Sequence, residues 1–195
     1  MDLAEYFKAE FAEHSDVARR SEATLSDAFA RIVQACVKSV RGGGKLMLFG
    51  NGGSAADAQH LATELTVRYR NNRVAIAAIA LTTDGSALTA GGNDLGFDRI
   101  FARQIEALGR QGDVAIAMST SGKSPNVIAG LKQAKSMGLV TIAFGGHSGG
   151  EMAGLADHLL AVPSATTARI QEMHIALGQM LCGAMEIELG LAAAR

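Results

Sequence analysis

From Gly44 onward the chain alternates short apolar runs with helical stretches: Lys45 to Phe49, Ile76 to Leu81, Val114 to Met118, Val140 to Phe144 and His158 to Val162. Strand-length runs separated by helical text imply a parallel sheet. A run such as Leu46, Met47, Leu48 and Phe49 is apolar at every position, which suits a strand covered on both faces. The expected class is α/β, a three-layer sandwich with helices on both sides of a five-stranded parallel sheet. Each run ends in a turn of polar or small residues: GNGGS, TTDGS, STSGKS, GGHSGG and PSATT. In such sheets ligands gather at the carboxyl ends of the strands, where these turns project.

The flanking segments carry helix periodicity. Residues 2 to 41 read as two helical patterns broken near Glu13 to Asp16, and in the second Ala28, Ile32, Cys36 and Val40 recur at a spacing of four. These N-terminal helices are expected to serve packing and oligomerisation. A last helix is expected from about Thr166 to Leu189, with Ile170, Met173, Leu177, Met180, Leu181, Ala184 and Ile187 as its apolar stripe and Gln171 and His174 to the side. With 195 residues, 48% of them hydrophobic, the chain can fill one full-sized core, so 1–195 is read as a single domain.

Composition removes several classes of function. The 18 basic residues nearly balance the 19 acidic ones, which leaves no basic field for nucleic acid. Aromatics are sparse and Trp is absent, so stacking platforms for single strands are lacking as well. No apolar stretch approaches the roughly 20 residues that cross a bilayer. The opening MDLAEYFKAEF is acidic and amphipathic, unlike a secretory signal, and Cys36 and Cys182 belong to no CxxC cluster. The expectations are buried thiols, a cytoplasmic location and a small, modestly anionic partner. Eight Met and abundant Ala suit helices buried closely against other subunits.

Two turns carry the chemistry. Residues 46–65, LMLFGNGGSAADAQHLATEL, read as a strand, a glycine-rich anion cradle with Asn51, and a helix opening at Ser54 whose N-terminal dipole adds to the cradle. His60 and Glu64 then lie one turn apart on one helix face, where a metal or a sugar carbonyl meets both. A His/Glu pair at this spacing is more commonly a solvated helix surface; its succession after the glycine turn is what marks a site. The second turn, Met118 to Pro125, crowds the hydroxyls of Ser119, Thr120, Ser121 and Ser124 around Gly122 before a helix starting at Ser124 or Pro125. It is not a P-loop, since GxxxxGK[ST] is absent, and GNGGSA has the wrong glycine spacing for dinucleotide binding. A phosphate monoester held by hydroxyls and amides fits.

The strings GNGGSAADAQH and STSGKS, with ELTVRY, GNDLGFD at Gly92 to Asp98 and RIQEMH at Arg169 to His174, resemble the SIS (sugar isomerase) domain family, in its phosphoheptose isomerase branch. The likeness runs over nearly the whole chain. It implies a sheet of flavodoxin-like order, a homotetramer with interfacial sites, and conversion of sedoheptulose 7-phosphate to D-glycero-D-manno-heptose 7-phosphate for bacterial lipopolysaccharide heptose. Substrate contacts implied by the resemblance fall on Asn51, Gly52, Gly53, Ser54, Glu64, Asn93, Asp94, Ser119, Thr120, Ser121, Ser124 and Gln171. The catalytic and zinc positions fall on His60, Glu64, Gln171 and a fourth, usually His, that is Gln179 here. This is a departure, because an amide oxygen ligates weakly and cannot shuttle a proton. Gln171 and Gln179 also lie about 12 Å apart along an ideal helix, so one ion reached by both needs a helix irregularity or two subunits.

The implied reaction is proton transfer through an enediol with Glu64 as the base. A second reading is a non-catalytic relative that binds the bacterial replication initiator; Glu64 beside His60 favours the enzyme, and Gln179 pulls the other way. A sugar-phosphate sensor would need a DNA-binding segment for which 195 residues leave no room. His14 and His158 read as surface or strand-edge residues, His147 as a turn residue, His174 as facing away from the site, and Asp84 and Asp98 as helix caps.

Overall fold

In the computed structural model, described here for residues 1–193, five strands form one parallel sheet: β1 (Leu46–Gly50), β2 (Ala78–Ala80), β3 (Val114–Ser119), β4 (Val140–Gly146) and β5 (His158–Val162). Their order is β2-β1-β3-β4-β5, the flavodoxin-like arrangement, so the three-layer α/β expectation holds. The helices are α1 (Leu3–Arg41), α2 (Gly53–Thr66), α3 (Gly85–Leu95), α4 (Ile100–Leu108), α5 (Pro125–Ser136) and α6 (Thr167–Glu188).

Alternation along each strand divides the core in two. Leu46, Leu48, Val114, Ile116, Met118, Ile142 and Phe144 face a layer of α1, α2 and α6. Met47, Phe49, Ala115, Ala117 and Ala143 face α4 and α5. On α5, Gly130 is required: a Cβ there would stand 2.7 Å from the Phe49 ring. Because β1 lies between β2 and β3, the direction of winding reverses at β1 and β3, and a crevice opens beyond their carboxyl ends. The turns GNGGS and STSGKS border that crevice.

The structure corrects the sequence reading at several places. Where two helices were expected, one runs from Leu3 to Arg41; Asp2 caps it by accepting from Ala4 N at 2.9 Å. The polar stretch Glu13 to Asp16 contains neither Gly nor Pro, and Asp16 pairs along the helix with Arg19 and Arg20, so nothing breaks the turn there. Burial begins only at Val17; Leu3, Tyr6, Phe7 and Phe11 stay exposed. The second strand shrinks from Ile76–Leu81 to Ala78–Ala80 at the sheet edge. In α6, Met180 and Ile187, seven residues apart, face outward rather than joining the buried stripe. Asp84 does cap α3, through Ala87 N at 2.9 Å, but Asp98 lies inside a 3-10 turn at Phe97–Arg99 and caps nothing. Cys36 and Cys182 are buried free thiols, and burial pushes both thiol pKa values up.

Candidate active site

The β1–α2 turn is built by close approach. A Cβ on Gly50 would fall 2.6 Å from Met118 O and 2.7 Å from Ser54 Cβ, and Gly52 adopts φ 55°, a region open to glycine. Helix α2 therefore begins at Gly53, one residue before the expected Ser54. Across the crevice, Gly122 at φ 64° lets the serine turn lie against the turn after β4, where a Cβ would meet Gly149 O at 2.2 Å. The two turns are joined by reciprocal amide bonds: Asn51 Nδ2 donates to Asn126 Oδ1 at 2.8 Å, and Asn126 Nδ2 returns one to Asn51 Oδ1 at 2.9 Å.

The serine hydroxyls form a compact cradle. Ser119 Oγ lies 3.2 Å from Ser124 Oγ and 3.5 Å from Ser121 Oγ, and it accepts from Gly122 N at 3.2 Å. Ser124 occupies the N-cap position of α5, with Pro125 at the first turn, yet its side chain makes no cap bond. Thr120, Ser121 and Lys123 also border a recess of about 370 Å³ shared with His147, Ser148 and Ser164. His147 has φ 51°, the left-handed region that a turn imposes.

On α2, His60 Nε2 lies 3.0 Å from Glu64 Oε1, as the spacing of four predicts. The Glu64 side chain is 19% exposed and that of His60 48%. Gln179 reaches this pair from α6, with its Nε2 3.2 Å from His60 Nε2. Gln171 does not join them. Its Nε2 donates to Asp57 Oδ2, and Ser54 Oγ donates to its Oε1 at 3.4 Å. Gly53 makes room for that amide, since a Cβ would stand 2.9 Å from Gln171 Oε1. Asn93 and Asp94 sit exposed on α3, with Asn93 Nδ2 donating to Asp94 Oδ1 at 2.7 Å rather than to the other predicted site residues.

Two residues at the site escaped the sequence reading. Asp57 lies three residues before His60, hence on the same helix face, a signal that the spacing rule offers. Burial raises its carboxyl pKa above the ordinary value, against the lowering effect of the Gln171 bond and of His60. Asn126, 1% exposed, is a long-range partner that no local pattern marks. Three other histidines make their contacts elsewhere. His14 pairs with Glu172 at 2.8 Å, His158 is half-buried at the start of β5, and His174 is buried with Nε2 3.1 Å from Gly145 O.

A SIS domain profile matches residues 10–146. The chain is 58% identical over 186 residues to the phosphoheptose isomerase of Paramagnetospirillum magneticum, covering 95% of this chain and 97% of that protein. It is 51% identical over 173 residues to phosphoheptose isomerase 1 of Campylobacter jejuni, covering 89% and 92%. The solved phosphoheptose isomerase of Neisseria gonorrhoeae superposes with a TM-score of 0.90 at 44% identity, covering 94% of this chain and 98% of that one. Sequence, topology and the two turns at the switch point agree: the chain belongs to the SIS domain family, in its phosphoheptose isomerase branch.

Proposed function

We propose that this chain is an aldose-ketose isomerase converting sedoheptulose 7-phosphate to D-glycero-D-manno-heptose 7-phosphate through an enediol. The observation that carries the reading is the grouping of His60, Glu64 and Gln179 on α2 and α6 in a chain 58% identical to a phosphoheptose isomerase. The phosphate is held by the hydroxyls of Ser119, Ser121 and Ser124, with Asn51, Gly52, Gly53, Ser54 and Thr120 as the wall along the sugar. Glu64 takes a proton from C1 of the ketose and returns it to C2, while one proton passes from O1 to O2 in the hydrogen bonds around the enediol. Gln179 cannot share this proton work, so it holds and orients while Glu64 carries the transfer.

Zinc is the proposed cofactor. His60 Nε2 faces both a carboxylate oxygen and the Gln179 amide, and one ring nitrogen cannot donate to the first while accepting from an N–H of the second. With the amide turned, a ring nitrogen, a carboxylate and a carbonyl oxygen converge, a donor set that suits zinc. His60, Glu64 and Gln179 would hold the ion, and Gln171 joins only if its amide leaves Asp57 or if it comes from a second subunit. Bound there, such an ion would supply Lewis-acid polarisation of the sugar carbonyl. Exposed Phe7, Phe11, Leu95, Phe97, Met180 and Ile187, and the exposed pair Asn93 and Asp94, support a homotetramer with sites shared between subunits. The cell compartment proposed is the cytoplasm, and the product's use is bacterial lipopolysaccharide heptose.

The test incubates chelator-treated and zinc-loaded protein with sedoheptulose 7-phosphate and follows aldose formation. Conversion that zinc restores is the expected result. No conversion in either state would overturn the reading in favour of a non-catalytic scaffold.

A further inference from the structure

Helix α2 ends at Thr66, so Glu64 sits in its last turn, where backbone carbonyls lose their helical partners. That turn carries no basic residue of its own. Arg73, nine positions beyond Glu64, supplies the missing cation: Nη2 donates to Glu64 O at 2.7 Å and Nη1 to Leu65 O at 2.7 Å. A guanidinium there satisfies the orphan carbonyl of Glu64, adds a second donor to Leu65 O, which also accepts from Ile76 N at 3.0 Å, and opposes the negative end of the helix dipole. Its Nε donates to Glu186 Oε1 at 2.9 Å, and the same oxygen accepts from Tyr69 N at 3.1 Å. Both side chains of the ion pair are 2% exposed.

Glu186 belongs to α6, the helix that carries Gln179 and Gln171. The pair therefore bolts the end of the helix bearing His60 and Glu64 to the helix bearing the two glutamines. Packing around it is close: a Cβ on Gly178 would fall 2.4 Å from Leu61 Cδ1, and one on Gly183 3.0 Å from the Tyr69 ring. An ion pair this deeply buried is a poor source of stability, because desolvation offsets the attraction and apolar residues of similar volume often do as well. What apolar residues cannot do is grip the carbonyl of Glu64.

We infer that Arg73 and Glu186 are positioning residues for the isomerisation, fixing the Glu64 backbone and its setting against α6. The inference rests on the isomerase reading above. The test compares the parent with Arg73→Lys, and with the double variant Arg73→Met and Glu186→Leu, measuring thermal stability, kcat and KM for sedoheptulose 7-phosphate. The double variant leaves Glu64 O and Tyr69 N without these partners, so its melting temperature should fall; assayed well below that temperature, its kcat should be down about tenfold, the scale on which small misplacements act, and KM within about twofold because the serine cradle is untouched. Arg73→Lys keeps the charge but cannot span two carbonyls and a carboxylate, so it too should lose kcat; it carries the test if the double variant does not fold. Folded variants with parental kcat overturn the inference, whereas a parent that converts nothing overturns the isomerase reading instead.

Discussion

At the amino ends of the strands, Asp113 accepts from Lys45 N at 2.9 Å, Lys45 Nζ at 2.5 Å and Arg110 N at 2.9 Å; Asp157 accepts from Thr141 N and Oγ1. At the carboxyl ends, the serine hydroxyls bond mainly one another and their own turn, and Asp57 meets an amide beside a histidine. The carboxylates register the difference. Burial alone would raise Asp113 and Asp157, but the bonds they accept outweigh it and hold both below the ordinary value, whereas Asp57 is raised. A recess of about 690 Å³ also lies at the amino ends, lined by Arg31, Lys38, Arg110 and His158. Helices α1 and α5 end at that side with basic residues in their last turns, Lys38 and Arg41 on α1 and Lys135 on α5, which suits the negative end of each helix dipole. Polar groups at one end bond across to other elements of the fold, while at the other the serine hydroxyls bond within their own turn.

The largest expected effect separates the two ends by activity alone. Glu64→Gln should lower turnover by a factor on the order of 10²–10⁴ or more, the range of a placed general base, with an unchanged melting temperature and retained substrate binding. Activity within tenfold of the parent would break the comparison at its carboxyl end. Next comes the mirror experiment. Asp113→Ala leaves two backbone N–H groups and Lys45 without their acceptor, and should cost about 2 kcal/mol in urea unfolding while kcat per folded molecule stays parental.

The contrast in how legible these ends are has the same root. Strands, turns and the His60–Glu64 pair follow from local spacing, and the structure reproduces them with boundaries shifted by a residue or two. The single helix α1 departs from the two-helix expectation because a polar stretch without Gly or Pro is neutral evidence, and ion pairs along the helix bridge it. Arg73 with Glu186, and Asn51 with Asn126, pair across 113 and 75 positions. No periodicity carries such partners. Gln171 and Gln179 were readable as site residues only through resemblance, and their separation into two groups follows from the length of α6 between them.

Acid should reach the two ends at different pH. His174 donates Nε2–H to Gly145 O, leaves Nδ1 unpartnered in the core, and is pushed by burial from 6.5 to about 4, against the raising effect of that bond. Above pH 6.5 it is neutral in both states and neutral in effect. Below 6.5 the unfolded chain binds a proton that the folded chain does not, so stability falls, by about 1.4 kcal/mol at one unit below, until pH 4. Asp113 and Asp157, held down in the fold, contribute stability above about 3.8 that is lost only below it. Urea midpoints of His174→Gln should therefore lack the decline between pH 6.5 and 4 yet keep the one below; a parental decline in the variant would place the acid-sensitive group elsewhere.

The smallest effect is also the sharpest division between fold and site. Ser124 stands at the N-cap of α5 with the extended backbone of a capping residue, φ −67° and ψ 117°, but its hydroxyl faces Ser119 Oγ at 3.2 Å and caps nothing. An ordinary N-cap serine is worth about 1 kcal/mol of stability when replaced by alanine. Here the melting temperature of Ser124→Ala should not move, since no cap bond is lost. The loss should appear instead in KM, raised about fivefold for one hydroxyl contact to phosphate worth about 1 kcal/mol. A lower melting temperature with parental KM would mean that the hydroxyl serves the helix, and that the carboxyl end commits its polar groups to folding as the amino end does.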